Sequence, residues 1–561
     1  MKAKYIIPVL LAGALAVSCQ DMMEPDSTTY DFDEAGNLTN ARDSLYSAMG
    51  IQSQIQKLGE RYVLLGELRG DLVTLTSDAP FSMQEVSQFD VTADNEYLSA
   101  RDYYSVINNC NYALARMDTS IVIHNGKVML PEYAAIRSMR AWTYLQMGLA
   151  FGSVSYITSP ILSLEESLAD YPSAGLDDLV KRLIDDLAPY ATIETPNYGN
   201  VDGFDSRRFF VQPRLLLADL CLYDGQYERA AQYYYDYIER NSLNITYERG
   251  NRWNSSSQDQ ASAYNLHAYQ DEALSLIPYS SNAAEIHPNL INLTYNTRPC
   301  ILPAPWFVDE MTSASHFHAD NVNLNTITGF LQGDLRGMLV YRDGNTQQPS
   351  LFGNIATGLN STERLITKFY LNGSENSTIQ NPGNPMFDDA TPLVCRAVVT
   401  CRTPHVYLRY AEAANRAGKP SLAFAVLKNG LRREVMTDSV TIAPGELADQ
   451  KPWTNFAVLD LENWGTAMRG RGLGVRLEGS GFDIPRLETK NDSIEYVESE
   501  ILREMAAETA FEGNRFFDLL RVSRHRADHP ALFAQKVARR FADPQAAEQR
   551  LMNPDNWWIR Q

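Results

Sequence analysis

The chain has 561 residues, of which 44% are hydrophobic, 21% charged and 10% aromatic, a composition that excludes wholesale disorder, collagen and fibres. Its 49 Lys and Arg residues face 69 Asp and Glu, a formal charge of −20; such a surface repels a phosphate backbone and excludes nucleic acid as a partner class. The length allows two to four domains, or one large helical body that grows by repeats.

At the amino terminus, Lys2 and Lys4 precede an apolar run from Ile6 to Val17 that ends in small residues and Cys19. The run falls short of the roughly 20 residues a membrane helix needs and has the order of an export signal. Leu15-Ala16-Val17-Ser18-Cys19 resembles a bacterial lipobox, in which Cys19 becomes the lipidated first residue; a plain secretory signal cut nearby is the alternative. Residues 1–18 are therefore read as signal and 19–37 as a tether, its start acidic and proline-containing (Asp21, Glu24, Pro25, Asp26). The other cysteines, Cys110, Cys221, Cys300, Cys395 and Cys401, are too scattered for a disulfide framework. Cys110 and Cys221 sit in helical patterns as small hydrophobes, whereas Cys395 and Cys401 are close enough in sequence for one local bridge. There is no CxxC pair, which removes a zinc ribbon.

Apolar residues recur three and four apart from Leu38 to Leu58 and from Tyr97 to Met117, as in Tyr104, Ile107, Cys110 and Leu114, which predicts helices. Pro131 opens a further one, with small residues Ala134 and Ala141 where a neighbouring helix must approach. The segment Phe209 to Asn241 reads as a tetratricopeptide-like helix–turn–helix: Leu217 to Tyr223, a turn at Asp224-Gly225, then Ala230-Ala231 in the second helix. A second copy lies at Val406 to Arg433, with Gly418-Lys419-Pro420 as its turn. The expected fold is mostly α, a tetratricopeptide-like helical-pair scaffold interrupted by long irregular loops. Residues 38–240 form its N-terminal helical region, 241–402 a loop-rich insertion and 403–561 a C-terminal helix pair with loops.

The insertion is rich in Asn, Ser, Thr, Gly and Pro, yet its aromatic residues argue against disorder. Long irregular segments in a compact protein commonly carry function. Sugar recognition asks for aromatic faces and for planar amide, carboxylate or guanidinium groups. The insertion supplies Trp253, Tyr279, Asn282, Tyr295, Arg298, Trp306 and Phe307. An early loop adds Arg69, Asp71, Asp78 and Phe81. For each aromatic, core packing is the plain alternative, and Trp142, on the small-residue face of its helix, is read as core. Trp557 and Trp558 are read as anchors of the C-terminal tail.

Other chemistry finds little support. His316 and His318 form an HxH with Asp320 nearby, but HExxH is absent and no metal or cofactor is expected. Asp31 to Gly36 begins like a calcium loop, but Arg42 stands where a bidentate glutamate is required. Arg469 to Gly481 is glycine-dense without the lysine of a phosphate loop and reads as a turn.

Near the carboxyl end, Glu504, Glu508, Phe511-Glu512-Gly513, Arg515, Asp518, Leu519 and Arg521 resemble the closing signature of the SusD/RagB family. The lipobox-like start, the helix pairs, the YLRYAEAA helix and the mid-chain insertion extend that resemblance over the mature chain. It implies a non-catalytic cell-surface lipoprotein, held in the outer membrane through Cys19 and facing the exterior. Such a protein captures oligosaccharides and delivers them to a SusC-like TonB-dependent β-barrel transporter. A RagB-like branch takes oligopeptides instead, and Gly59 to Asp78 is similar to that branch's early segment. A reading of another class is a secreted lipoprotein hydrolase with its site in 241–402. In the signature itself, Glu512, Arg515, Asp518 and Arg521 are spaced by three, which predicts an ion-pair ladder along one helix face rather than a catalytic carboxylate pair.

Overall fold

A computed structural model of the protein describes residues 41–124, 126–243, 272–282, 284–295, 298–319, 327–334, 336, 338–340, 347–349, 352–353, 365–366, 368–369, 394–459, 467–470 and 482–560. The signal, Cys19, the Asp31 loop, Trp253 and Asp320 lie outside the described residues. Helices dominate what is described. In the first half of the chain, those of eight residues or more are α1 (Ala41–Leu68), α2 (Phe81–Gln88), α3 (Arg101–Arg116), α4 (Leu130–Phe151), α5 (Leu176–Leu187), α6 (Pro213–Tyr223) and α7 (Tyr227–Asn241). Then follow α8 (Pro305–Ser313), α9 (Thr403–Arg416), α10 (Pro420–Lys428), α11 (Lys490–Glu508), α12 (Arg515–Arg524), α13 (Ala531–Ala538) and α14 (Pro544–Leu551).

Local chemistry accounts for their ends and faces. Pro131, Pro213, Pro305 and Pro420 each stand in a first turn, where the missing N–H costs nothing and the fixed φ suits a helix. In α5 the buried residues Leu176, Leu179, Val180, Leu183, Ile184 and Leu187 follow the helical period. α4 is buried on nearly every side and lies at the centre of the N-terminal half.

Both predicted helix pairs turn in the same way. Gly225 has φ +73° and Gly418 φ +84°, a left-handed conformation that glycine adopts without strain. After each, the next amide reaches back five residues, Gln226 N to the Cys221 carbonyl at 2.8 Å and Lys419 N to the Ala414 carbonyl at 2.9 Å. This closure satisfies helix-end carbonyls that would otherwise lack donors.

The helices stack as a ladder: α3 on α4, α4 on α5, α5 on α6, α6 on α7, and then α7 directly on α9, which carries α10 and α11. The second pair therefore continues the first across the whole insertion. Two antiparallel strands close that excursion at its base, β2 (Ala273–Pro278) and β4 (Ala397–Arg402), with Val398 opposite Ile277 and Ala397 opposite Pro278. Cys401 lies in β4 and Cys395 just before it, and both are free thiols. The local bridge entertained from sequence does not form, because extended backbone carries residues six apart well beyond the reach of a disulfide.

α1 runs ten residues past Leu58, the predicted limit, and crosses the C-terminal half as well as α3 and α4. The crossing is backbone on backbone: a Cβ placed on Gly66 would stand 1.8 Å from the Gly513 carbonyl oxygen. The C-terminal tail is anchored as expected. The Trp557 ring centroid lies 4.1 Å from that of Phe533, and the Ile559 amide donates to the Ala150 carbonyl at 2.9 Å. Trp142 is core, 5.7 Å from the Tyr62 ring.

The Gly66 crossing leaves no flexible side chain to yield. Gly66→Ala is expected to lower stability by about 3 kcal/mol or more, read as a shift of the urea midpoint, whereas Gly50→Ala, in open space on the same helix, should be neutral or mildly stabilising.

Candidate functional site

The early loop and the insertion meet. β1 (Val73–Leu75) pairs antiparallel with β3 (Ile301–Pro303), Val73 opposite Pro303 and Leu75 opposite Ile301. The seam continues on both sides: the Thr76 amide donates to the Cys300 carbonyl at 3.0 Å, the Ala304 amide to the Leu72 carbonyl at 2.7 Å, and the Thr76 hydroxyl to the Pro299 carbonyl at 2.6 Å. At the outer rim, Arg298 forms an ion pair with Asp78, and its side chain is 79% exposed. Phe81, first residue of α2, is 71% exposed. An exposed pair of this kind contributes little to stability, so these groups are available to a ligand at small cost.

A cavity of about 470 Å³ lies between α8, α11 and α13. Trp306 stands at its wall, its indole N–H donating to the Asp71 carbonyl at 2.7 Å. The Arg539 guanidinium lies 3.3 Å from the Trp306 ring centroid and donates to the Asp71 carboxylate at 2.7 Å. One face of the indole is thus already covered by a cation. Arg515 holds the same carboxylate through two bonds of 2.6 and 3.1 Å. Burial alone would raise the Asp71 carboxyl; Arg515 and Arg539 overcome that and hold it below its ordinary range. Lys536, also on the wall, has its ammonium lowered by burial and by Arg539 and Arg515.

Several residues proposed from sequence as ligand contacts have interior work instead. Arg69 is 1% exposed: its guanidinium stacks 3.7 Å from the Phe516 centroid and donates to the Leu65, Leu149 and Trp557 carbonyls. Asp71 is consumed by its two arginines. The Tyr279 hydroxyl is spent on the Gln56 carbonyl at 2.7 Å, while Phe307 packs edge-on to Phe511 and Tyr295 is buried. Asn282 is exposed, with its side-chain oxygen accepting from the Ala284 amide in a turn. Asp78, Phe81 and Arg298 are those the seam brings together, while Trp306 stands apart on the cavity wall beside Asp71 and Arg539. His316 and His318 fall in a strand (Ser315–Ala319), and among the described residues no group of metal-ligating side chains occurs.

The C-terminal signature is wired differently from the predicted ladder. Glu512 precedes α12, so it cannot share a helix face with Arg515. It instead receives the Arg402 guanidinium at 3.0 Å on both oxygens and also the Lys368 ammonium. Glu508 accepts from Arg402 at 3.0 Å and from Arg336 at 3.2 Å, and Arg336 is further held by Asp334 and Glu504. Asn514 accepts from Arg409 at 3.0 Å and from the Tyr62 hydroxyl at 3.1 Å. Of the i,i+3 steps, Asp518 to Arg521 forms at 2.8 Å, and Arg521 also grips Glu412 of α9. Burial opposes ionisation of Glu512, yet Arg402, Lys368 and His405 together depress its pKa strongly. These are fixed structural charges, as the sequence had suggested for a different geometry.

The helical-pair scaffold carries a loop-built cavity, a combination that comparison with known proteins also finds elsewhere. Residues 396–561 match the family model described as SusD family. No curated protein sequence matches the chain. Among solved structures, a SusD superfamily protein from Bacteroides vulgatus ATCC 8482 superposes with a TM-score of 0.58 at 14% identity, covering 91% of this chain and 93% of its own. A SusD homolog from Bacteroides thetaiotaomicron VPI-5482 gives 0.56 at 14% identity, covering 94% and 91%. A Bacteroides vulgatus ATCC 8482 protein named as a candidate sugar-binding protein gives 0.52 at 14%, covering 86% of each chain. The C-terminal segment thus resembles the SusD family, and the fold of the chain is similar to that of the solved SusD superfamily structures.

Two outcomes follow from the buried charges. Glu512→Gln leaves Arg402 and Lys368 without their shared carboxylate, and a loss of about 3–5 kcal/mol is expected in denaturant unfolding. Glu67, which accepts from the Gly513 amide at 2.8 Å, is pushed by burial to about 8. The native state thus keeps a proton that the unfolded chain releases near pH 4.5. The stabilisation linked to Glu67 is complete below that pH and is lost as pH rises towards 8. Stability measured between pH 6 and 9 should fall in the natural protein and fall less in Glu67→Gln; equal slopes would refute the assignment.

Proposed function

We propose that the protein is a non-catalytic nutrient-binding lipoprotein that captures oligosaccharides at the seam between the 73–81 and 298–306 segments. The observation that carries this reading is the exposed group of Phe81, Asp78 and Arg298 at the β1–β3 seam, whose second strand leads directly into α8 and Trp306. An exposed ring offers the apolar side of a sugar a surface, and the ion-pair partners exchange readily for sugar hydroxyls. The SusD-family segment and the fold shared with a protein named for sugar binding support the same role. We place the protein at the exterior face of the outer membrane, anchored through Cys19 and passing its ligand to a SusC-like TonB-dependent barrel. Among the described residues no helix is long and apolar enough to cross a membrane, so on this reading attachment depends on the lipid.

A hydrolase would need one carboxyl kept protonated in an apolar pocket opposite a second, ionised one. In the cavity Glu310 pairs with Arg503, Asp334 and Glu504 with Arg336, and Glu500 with Arg469, an arrangement of a different kind. Oligopeptides are the runner-up, favoured by one observation: Lys536 and the Glu310–Arg503 pair on the cavity wall could meet both charged ends of a peptide.

Calorimetric titration of the chain from Gln20 onward with neutral oligosaccharides and with short peptides tests the reading. Saturable heat is expected with a sugar, weakened about tenfold by Phe81→Ala and by Arg298→Ala; heat with peptides alone would transfer the protein to the peptide-binding branch. Separately, Cys19→Ala should release the protein from the membrane fraction, and full retention of that variant in the absence of a transporter would contradict the anchor.

A further inference from the structure

A second groove, of about 520 Å³, is lined by Thr74, Ser87 and Gln88 together with Arg540, Phe541 and Arg550. Its charges have few carboxylate partners. The buried guanidiniums of Arg336, Arg402, Arg515 and Arg521 each meet at least one carboxylate, whereas Arg69 is held by carbonyls and the Phe516 ring. In the groove, Arg540 bonds to neutral acceptors: the Ser87 hydroxyl at 2.8 Å, the Ser87 carbonyl at 2.6 Å and the Leu68 carbonyl at 2.9 Å. The Arg550 side chain has no hydrogen-bond partner among the described residues, and the Nε atoms of both arginines are buried without an acceptor. The two guanidiniums converge on one ring, 4.4 and 5.7 Å from the Phe541 centroid. The acidic side chain lining the groove is Asp543, and its Oδ1 accepts the Ala546 amide at 3.0 Å as the cap of α14.

In a chain of net charge −20, two half-buried guanidiniums left without a carboxylate make a local basic patch facing open space. Burial pulls Arg540 down to about 9; Asp71 opposes the shift and Arg550 adds to it, so the two cations feel one another. A carboxylate set between them would supply the missing acceptor in the planar, two-oxygen form that guanidinium prefers. Thr74 and Gln88, which also line the groove, offer a hydroxyl and an amide to neutral hydroxyls. We propose that this groove is a second ligand site, which takes the carboxylate of an acidic sugar unit of an oligosaccharide on Arg540 and Arg550. It rests on the oligosaccharide reading and deepens it, since the bound chain would then carry uronate units. Arg539 and Arg540 are neighbours at the end of α13, one facing the Trp306 cavity and the other the groove, so one turn of chain presents a cation to each.

The test is calorimetric titration of the mature chain with trigalacturonate and with its methyl ester, which keeps the sugar and removes the charge. Arg550→Gln is the variant, because that side chain makes no hydrogen bond and its loss spares the fold; circular dichroism and the urea midpoint check this. Saturable binding of the acid, about tenfold or more tighter than the ester, with the preference lost in Arg550→Gln, is expected. Equal binding of acid and ester, a preference that survives in Arg550→Gln, or no saturation by the acid overturns the assignment. Neutral oligosaccharides titrated in parallel separate the two readings. If they bind at the Phe81 seam while the acid shows no preference, the groove alone fails; if no sugar of either kind gives heat, the oligosaccharide reading fails with it.

Discussion

The structure depends on a set of charges that water never reaches. Arg336, Lys368 and Arg402 are each at most 1% exposed, and they meet Glu504, Glu508 and Glu512 at the corner between α11 and α12. Taking such ions out of water costs several kcal/mol apiece, and only near-ideal geometry with every donor engaged offsets it. That requirement explains the bidentate hold of Arg402 on Glu512 and the additional bonds from Arg402 to Glu272 and from Lys368 to the Ala510 carbonyl. The partners come from β2, β4, the insertion and the C-terminal corner. A set of this kind is not required for cohesion, which apolar packing supplies more cheaply; it specifies which segments meet. The insertion leaves the helical ladder at Asn241 and must return in register at Arg402, and the cluster fastens it where it re-enters.

The four residues Glu512-Gly513-Asn514-Arg515 each carry one part of that task. Glu512 binds the insertion through Lys368 and β4 through Arg402. Gly513, at φ +83°, lets α1 pass at backbone distance. Asn514 joins Arg409 of α9 to Tyr62 of α1, and Arg515 reaches Asp71, beyond the end of α1. Asp71 in turn fixes Arg539 on Trp306. The signature therefore helps set the position of the seam and supplies part of the cavity wall through Glu504 and Arg515.

Much of this was legible in the residues, and the failures have physical reasons. The helix pairs declared themselves through period and through Gly225 and Gly418, since those signals are local. α8 lies within the 241–402 stretch read as loop-rich, although Pro305 fits the first turn of a helix. β2 and β4 were missed because ALSLIP and AVVTCR are short apolar runs without a helical or alternating period. The early loop and the insertion were both nominated for the site, and the structure joins them; the register of β1 on β3, more than 220 residues apart, leaves no local trace. Tyr279, Phe307 and Arg69 were nominated because a ring or a guanidinium offers the same chemistry to a ligand and to a core. What separates them from Phe81 and Arg298 is burial, which depends on the tertiary partner: Phe516 for Arg69, Phe511 for Phe307 and Gln56 for Tyr279.

The distribution of basic residues carries the last step. The chain has 49 Lys and Arg against 69 Asp and Glu, and many of the arginines are committed to interior pairs. The surface is left more acidic than composition alone implies, and a mobile anion is repelled from most of it. Against that field, cations beside cavities become points of attraction, and one group of them stands near the end of α13. Lys536 and Arg539 line the cavity, Arg540 and Arg550 line the groove, and Arg298 stands at the rim of the seam. On the proposed reading, an anionic ligand would be drawn to the strip where the early loop, the insertion and the C-terminal helices meet. The buried cluster fastens that meeting, so under that reading the interior ion pairs would shape recognition by fixing where these cations stand.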